Sequence, residues 1–228
     1  MKRNQQGFTL VEIAIVLVII GLLLGGILKG QEMITQAKIK NVVADFSGVS
    51  AAYYGYQDRY RAIPGDDPNA QTRWATVPAA ISTAASGNGV VAGTYNNACP
   101  TVAVAATPET CLWWDELRRA GFVSGNGASQ PFNAVAGMLG VQTGDGTGAG
   151  TALGSAVNVG GFAGLIICSA NLPDKIAIAV DTQMDDGIMI SGTVRGQLQT
   201  TPNPAILAIA VGTYAETGTN VYTLCRSL

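Results

Sequence analysis

The sequence predicts an α+β chain: a long amino-terminal helix, membrane-spanning in its first half, ahead of a head of strands with one or two short helices. Residues 8–28 form an apolar run whose single charge is Glu12. Residues 30–60 contain no proline, and Ile39, Val42, Phe46, Val49, Tyr53, Tyr56 and Tyr60 recur at alternating spacings of three and four, a helical stripe. Past residue 64 the chain turns rich in Gly, Ala, Thr and Ser, with short β-type runs late in the sequence.

The apolar run comes first. At 1.5 Å per residue it makes about 30 Å of helix, one bilayer core. Lys2 and Arg3 precede it, so the leader stays cytoplasmic and the rest crosses. A secretory signal would have a shorter apolar region and a small-x-small cleavage site. Residues 22–27, Leu-Leu-Leu-Gly-Gly-Ile, offer none that convinces. An ionised carboxylate inside a bilayer costs about 2.5–3.5 kcal/mol on insertion scales, and such groups usually have a partner. Glu12 therefore asks for one.

The helix continues past the membrane. Lys38, Lys40, Asp45, Gln57, Asp58 and Arg59 lie off the apolar stripe, and Ile63-Pro64-Gly65 ends the pattern. One helix of about 55 residues would be roughly 80 Å long. The glycine pairs Gly21/Gly25 and Gly26/Gly30 allow close helix approach. The expected organisation is residues 8–28 as membrane half, 29–63 as amphipathic half, and 64–228 as head.

In the head, Pro64-Gly65-Asp66-Asp67-Pro68 is a turn by its chemistry. Residues 75–107 read mostly as loop. A helix is expected from Thr107 as cap and Pro108 at its first position, with Trp113, Leu117 and Ala120 on one face and Gly121 closing it. Of Trp113 and Trp114, one is expected in the core and the other half-covering it. Residues 124–161 are Gly-rich, and 144–148 (Gly-Asp-Gly-Thr-Gly) lack the Lys-Ser/Thr of a phosphate loop, so an exposed loop between strands is expected. Residues 164–169, 193–198, 205–212 and 220–225 read as strands. Residues 172–184 alternate like a strand and also repeat like a helix, with Pro173-Asp174 and Gly187 favouring helix.

Charged residues are only 12% and the net charge is −2, which leaves no basic patch for nucleic acid. The chain has no His, which removes the commonest general base and zinc ligand. No Ser-His-Asp set is possible, no metal motif stands out, and no cofactor is called for. Asp181, Asp185 and Asp186 form the one acidic cluster with possible cation chemistry, against the plainer reading of solvated acids at a turn. Four cysteines beyond a membrane read as up to two disulfides. Three pairings are open, and Cys99 with Cys111 and Cys168 with Cys225 is favoured. The first closes a loop-rich excursion onto a helix start, and the second ties the last strand to an interior one.

A short basic leader ending in Gly7, then Phe8-Thr9-Leu10-Val11-Glu12, resembles the amino terminus of type IV prepilins and of type II secretion pseudopilins. In that family a membrane peptidase cuts after the Gly and methylates the new terminal amine. The resemblance implies that residues 1–7 are a removed leader, that cleavage falls between Gly7 and Phe8, and that Phe8 is N-methylated. It gives Glu12 its partner, the terminal amine of a neighbouring subunit, so that Glu12 sets register in assembly. It implies the pilin plan of a helical spine packed on an antiparallel sheet. Residues 63–68, 113–121 and 181–187 are more loosely similar to stretches in large bacterial proteins with prepilin leaders.

The expected function is that of a structural, non-enzymatic pilin subunit, its size leaning toward a minor or accessory one. The alternatives are a minor pseudopilin of a type II secretion system and a tip adhesin with a ligand-binding head. The implied partners are other pilin subunits in a homo- or hetero-filament, the prepilin peptidase/methyltransferase and an inner-membrane assembly platform. The implied location is the bacterial inner membrane with the head outside the cytoplasm, then a surface or periplasmic filament.

Overall fold

The computed structural model describes residues 9–74, 87–102, 107–155 and 160–228. The chain divides into two compact units, Met1–Lys38 and Ile39–Leu228. Helix α1, Leu10–Tyr60, contributes to both.

In the first unit, α1 has a stretch long and apolar enough to cross a membrane. Its large apolar side chains are exposed all round, Leu10 by 86% and Leu22 by 74%. A helix apolar on every side needs an apolar medium or other helices around it.

The second unit opens with the other part of α1. Ile39, Val42, Phe46, Val49, Tyr53 and Tyr56 are buried, which is the stripe expected from the sequence. The helix ends at Tyr60, short of the expected residue 63. Arg61 takes φ +54° while its N–H still donates to the Gln57 carbonyl at 2.8 Å, so the chain leaves the helix one residue later than its last regular turn. A single turn, α2 (Ala70–Arg73), follows.

Helix α3 spans Glu109–Arg119, with Pro108 just before the helix and not within its first turn. Its end is a Schellman motif: Phe122 N–H donates to Leu117 O at 3.0 Å and Gly121 N–H to Arg118 O at 3.1 Å, with Gly121 at φ +82°. Trp113 and Trp114 are both fully buried, edge to face at 4.9 Å, so neither is the half-exposed cover expected. Both join the core cluster that holds the buried stripe of α1, while Arg118 reaches over the Trp114 ring and ties down the backbone at Gly127 and Ser129.

The main sheet has four antiparallel strands in the order β1 (Leu139–Thr143), β3 (Leu165–Pro173), β6 (Val221–Ser227), β4 (Val194–Leu198). Strand β1 lies inside the Gly-rich region read as loop. Gly140 is needed there, because a Cβ would collide with the Tyr95 carbonyl. Leu139, Val141, Ile167 and Leu224 join the core with α1, α3 and Val180 of α4 (Asp174–Met184). Ile166, Cys168, Ala170 and Cys225 face the other side and pack with Tyr95, Leu153 and Phe162. Both faces are covered, which is why β3 reads as a continuous apolar run.

The apolar segment 205–212 is not a full strand. Only β5 (Ile209–Ala210) pairs, in parallel, with β2 (Gly154–Ser155). The Gln197 side-chain amide takes the neighbouring backbone instead, donating to Ala205 O and accepting from Leu207 N–H, both at 2.8 Å. Cys99 bonds to Cys111 and Cys168 to Cys225, the pairing favoured above, and Cys168 lies directly opposite Cys225 across β3 and β6. Helical spine, antiparallel sheet and short helices together are the pilin-like architecture.

Candidate assembly site

Gly7 and Phe8 lie outside the described residues. Glu12 lies in the first turn of α1 and is exposed. Its carboxylate accepts from Thr9 N–H at 2.8 Å and from Thr9 Oγ1 at 2.7 Å, while Glu12 N–H donates back to Thr9 Oγ1 at 3.3 Å. This is a capping box: Thr9 and Glu12 satisfy donors that a helix start leaves open, and the helix dipole favours the negative charge there. Sequence reasoning missed Thr9, although Thr-x-x-Glu is a legible signal. The carboxylate is thus held at the very start of the helix, on its surface, next to where a terminal amine at residue 8 would begin.

A buried polar group fastens the end of α1 to the head. The Tyr56 hydroxyl donates toward Asp67 Oδ2 at 2.8 Å and Glu116 Oε2 at 3.2 Å. Gly65 N–H donates to Glu116 Oε2 at 2.7 Å, and Arg73 binds Asp67 at 2.6 Å while lying 4.1 Å over the Tyr60 ring. One hydroxyl proton serves two carboxylates. Burial pushes Glu116 up to about 8, with the nearby Asp67 charge adding to it and the Gly65 and Tyr56 bonds opposing it. Burial thus favours the protonated form of Glu116, next to the Arg73–Asp67 ion pair.

Asp181, Asp185 and Asp186 do come together, with one oxygen from each within 4.8 Å of the others. Asp181 is fully buried; its carboxylate accepts from Tyr214 OH at 2.5 Å and Gly187 N–H at 3.2 Å, and burial pushes it up to about 6. Asp185 Oδ2 accepts from the backbone N–H groups of Thr193 and Val194. Asp186 accepts from Ile188 N–H at 2.8 Å and Ser191 Oγ at 2.6 Å. Of these six carboxylate oxygens, only Asp185 Oδ1 accepts no such bond from a described residue. A hard cation wants six or more oxygens, whereas these are spent fastening the loop after α4.

Open depressions are found among the described residues of the head. One of about 340 Å³ is lined by Asn171, Gln199, Thr200, Thr201, Pro202 and Val221. Another, about 390 Å³, lies beside Asp115, Arg118 and Arg119. Arg118 is committed to carbonyls, and Arg119 to Asp115 at 2.5 Å.

Residues 2–28 match the prokaryotic N-terminal methylation motif. No curated protein and no solved structure matches the chain.

Proposed function

We propose that this chain is a structural subunit of a type IV pilus-like filament, assembled through α1 after its leader is cut at Gly7 and Phe8 is methylated. One observation supports it above the others: the methylation motif at residues 2–28 leads directly into a helix that is apolar and exposed on all sides. A bilayer covers that surface before assembly, and neighbouring subunits cover it afterwards. In this reading Glu12 turns from its Thr9 cap to the terminal amine of the next subunit. Pairing two charges in low dielectric offsets the cost of burying either alone. The partners are other pilin subunits, the prepilin peptidase/methyltransferase and an inner-membrane platform. The head is a folded cap without catalytic duty. The finer roles of accessory pilin, secretion pseudopilin or adhesin differ in where the filament ends.

Glu12→Val tests the role of the carboxylate. The variant should insert at least as well as the native chain, since a charge is gone from the bilayer. It should be cut after Gly7, yet be depleted at least about tenfold from sheared filaments in competition with the native chain. Equal incorporation contradicts the role.

A further inference from the structure

The tetrapeptide Ser-Gly-Asn-Gly occurs twice, at residues 86–89 and 124–127. Asparagine before glycine carries its own reaction. The glycine backbone nitrogen attacks the asparagine side-chain carbonyl, and no Cβ on the glycine stands in the way. The N–H loses its proton, a C–N bond forms, ammonia leaves and a five-membered succinimide remains. Water then opens the ring to aspartate or to isoaspartate. The net change is one amide and one water to one carboxyl and one ammonia, with no oxidant or reductant. Asn88 and Asn126 share this local sequence and are both exposed, so their surroundings set them apart.

At Asn88 the reacting groups are held. Asn88 Oδ1 accepts from Val90 N–H at 2.7 Å, which fixes the side chain. Gly89 N–H, the nucleophile, donates to Asp66 Oδ2 at 2.7 Å, and Asn88 N–H donates to Asp66 Oδ1 at 3.2 Å. Attack would break a charge-assisted bond. A carboxylate against the nitrogen also opposes the loss of its proton, since like charges repel.

At Asn126 the reacting groups are free. Neither the Asn126 side-chain amide nor Gly127 N–H has a hydrogen-bond partner among the described residues. Both residues line the depression shared by Asp115, Arg118 and Arg119. Arg119 Nε takes up the Asp115 carboxylate at 2.5 Å, so the two guanidiniums leave a positive balance there. Positive charge favours the anion that develops on the Gly127 nitrogen. Arg118 also clasps the loop on both sides of the reacting bond, at Ser124 O (3.3 Å), Gly127 O (2.7 Å) and Ser129 O (2.6 Å). Isoaspartate inserts a methylene into the main chain inside that clasp.

We infer that Asn126 is a site of spontaneous deamidation through a succinimide with Gly127, and that the fold protects Asn88 from the same reaction. Aspartate at 126 places a new carboxylate beside Arg118 and Arg119. Isoaspartate at 126 in addition loosens the Arg118 clasp.

The test incubates the full, disulfide-bonded chain in detergent at mildly alkaline pH. Peptide mapping then separates asparagine, aspartate and isoaspartate at both positions. Products at Asn126 should accumulate at least about tenfold faster than at Asn88. In urea with the disulfides reduced, the two rates should converge to within about threefold, because the local sequences match. Asp66→Asn, checked for intact disulfides, should raise the Asn88 rate by at least about threefold. Equal rates in the folded chain, or a faster Asn88, overturn the assignment. So does an Asn126 that stays intact when folded while the unfolded chain reacts. A ratio that persists in urea overturns the protective role of the fold.

Discussion

The two halves of α1 share one backbone conformation and opposite surroundings. Leu10 and Leu22 are 86% and 74% exposed, while Val42, Phe46 and Tyr56 are at 0%. The early half is apolar on every side, and the later half on one face only. Helix propensity does not distinguish them; packing does. The later half is completed by its own sheet and by α3. The early half is left for whatever surrounds it, and its residues should matter to assembly and hardly at all to the folding of the head.

Substitutions inside each half break that contrast if it is wrong. Phe46→Ala should destabilise the head by about 3–5 kcal/mol, the range for a buried aromatic. Leu22→Ala should change it by less than about 0.5 kcal/mol. Chemical denaturation of the full chain in detergent, followed by the fluorescence of Trp113 and Trp114, measures both.

The next effect lies wholly in the head. The Cys168–Cys225 bond closes a separation of 57 residues. Replacing both cysteines by alanine should cost about 2–4 kcal/mol, read in the same denaturation, while leader cleavage stays as in the native chain.

The smallest effect is pH dependence at the junction of α1 with the head. Glu116 is pushed up to about 8, chiefly by burial. A folded-state value above the unfolded one means the native chain keeps a proton that the unfolded chain has released. The stability it contributes is complete at pH below the ordinary carboxylate value and is lost as pH rises through about 8. Asp181, pushed up to about 6 mainly by burial, has the same sign, and its share is gone by neutral pH. Head stability should fall by at least about 1 kcal/mol between pH 6 and 9, and Glu116→Gln should flatten that fall. Urea midpoints across the pH series check it.

What could be read from the sequence follows the range of the forces involved. The stripe from Ile39 to Tyr56 is local periodicity, and so was legible. The two disulfides joined the favoured pairs because each cysteine sits beside a readable element. Strand β1 was not legible: Gly140 interrupts five residues set among glycines, and only the approach of Tyr95 and the pairing with β3 make it a strand. Residues 205–212 carry strand-like residues, but the Gln197 side chain takes the backbone bonds a neighbour strand would have made. The Tyr56, Asp67 and Glu116 cluster joins positions 11 and 60 apart in sequence, which no local pattern records. At the amino terminus Glu12 is five residues from Gly7 and also three from Thr9, the spacing of a capping box.

The contrast between the halves has meaning only if the early half begins where the motif implies. Mass spectrometry of the amino-terminal peptide from chains in sheared filaments tests this most directly. The account predicts a peptide that starts at Phe8 and carries one methyl group on its amine. A peptide starting downstream of Leu28, or an intact Met1 leader in assembled chains, would contradict it.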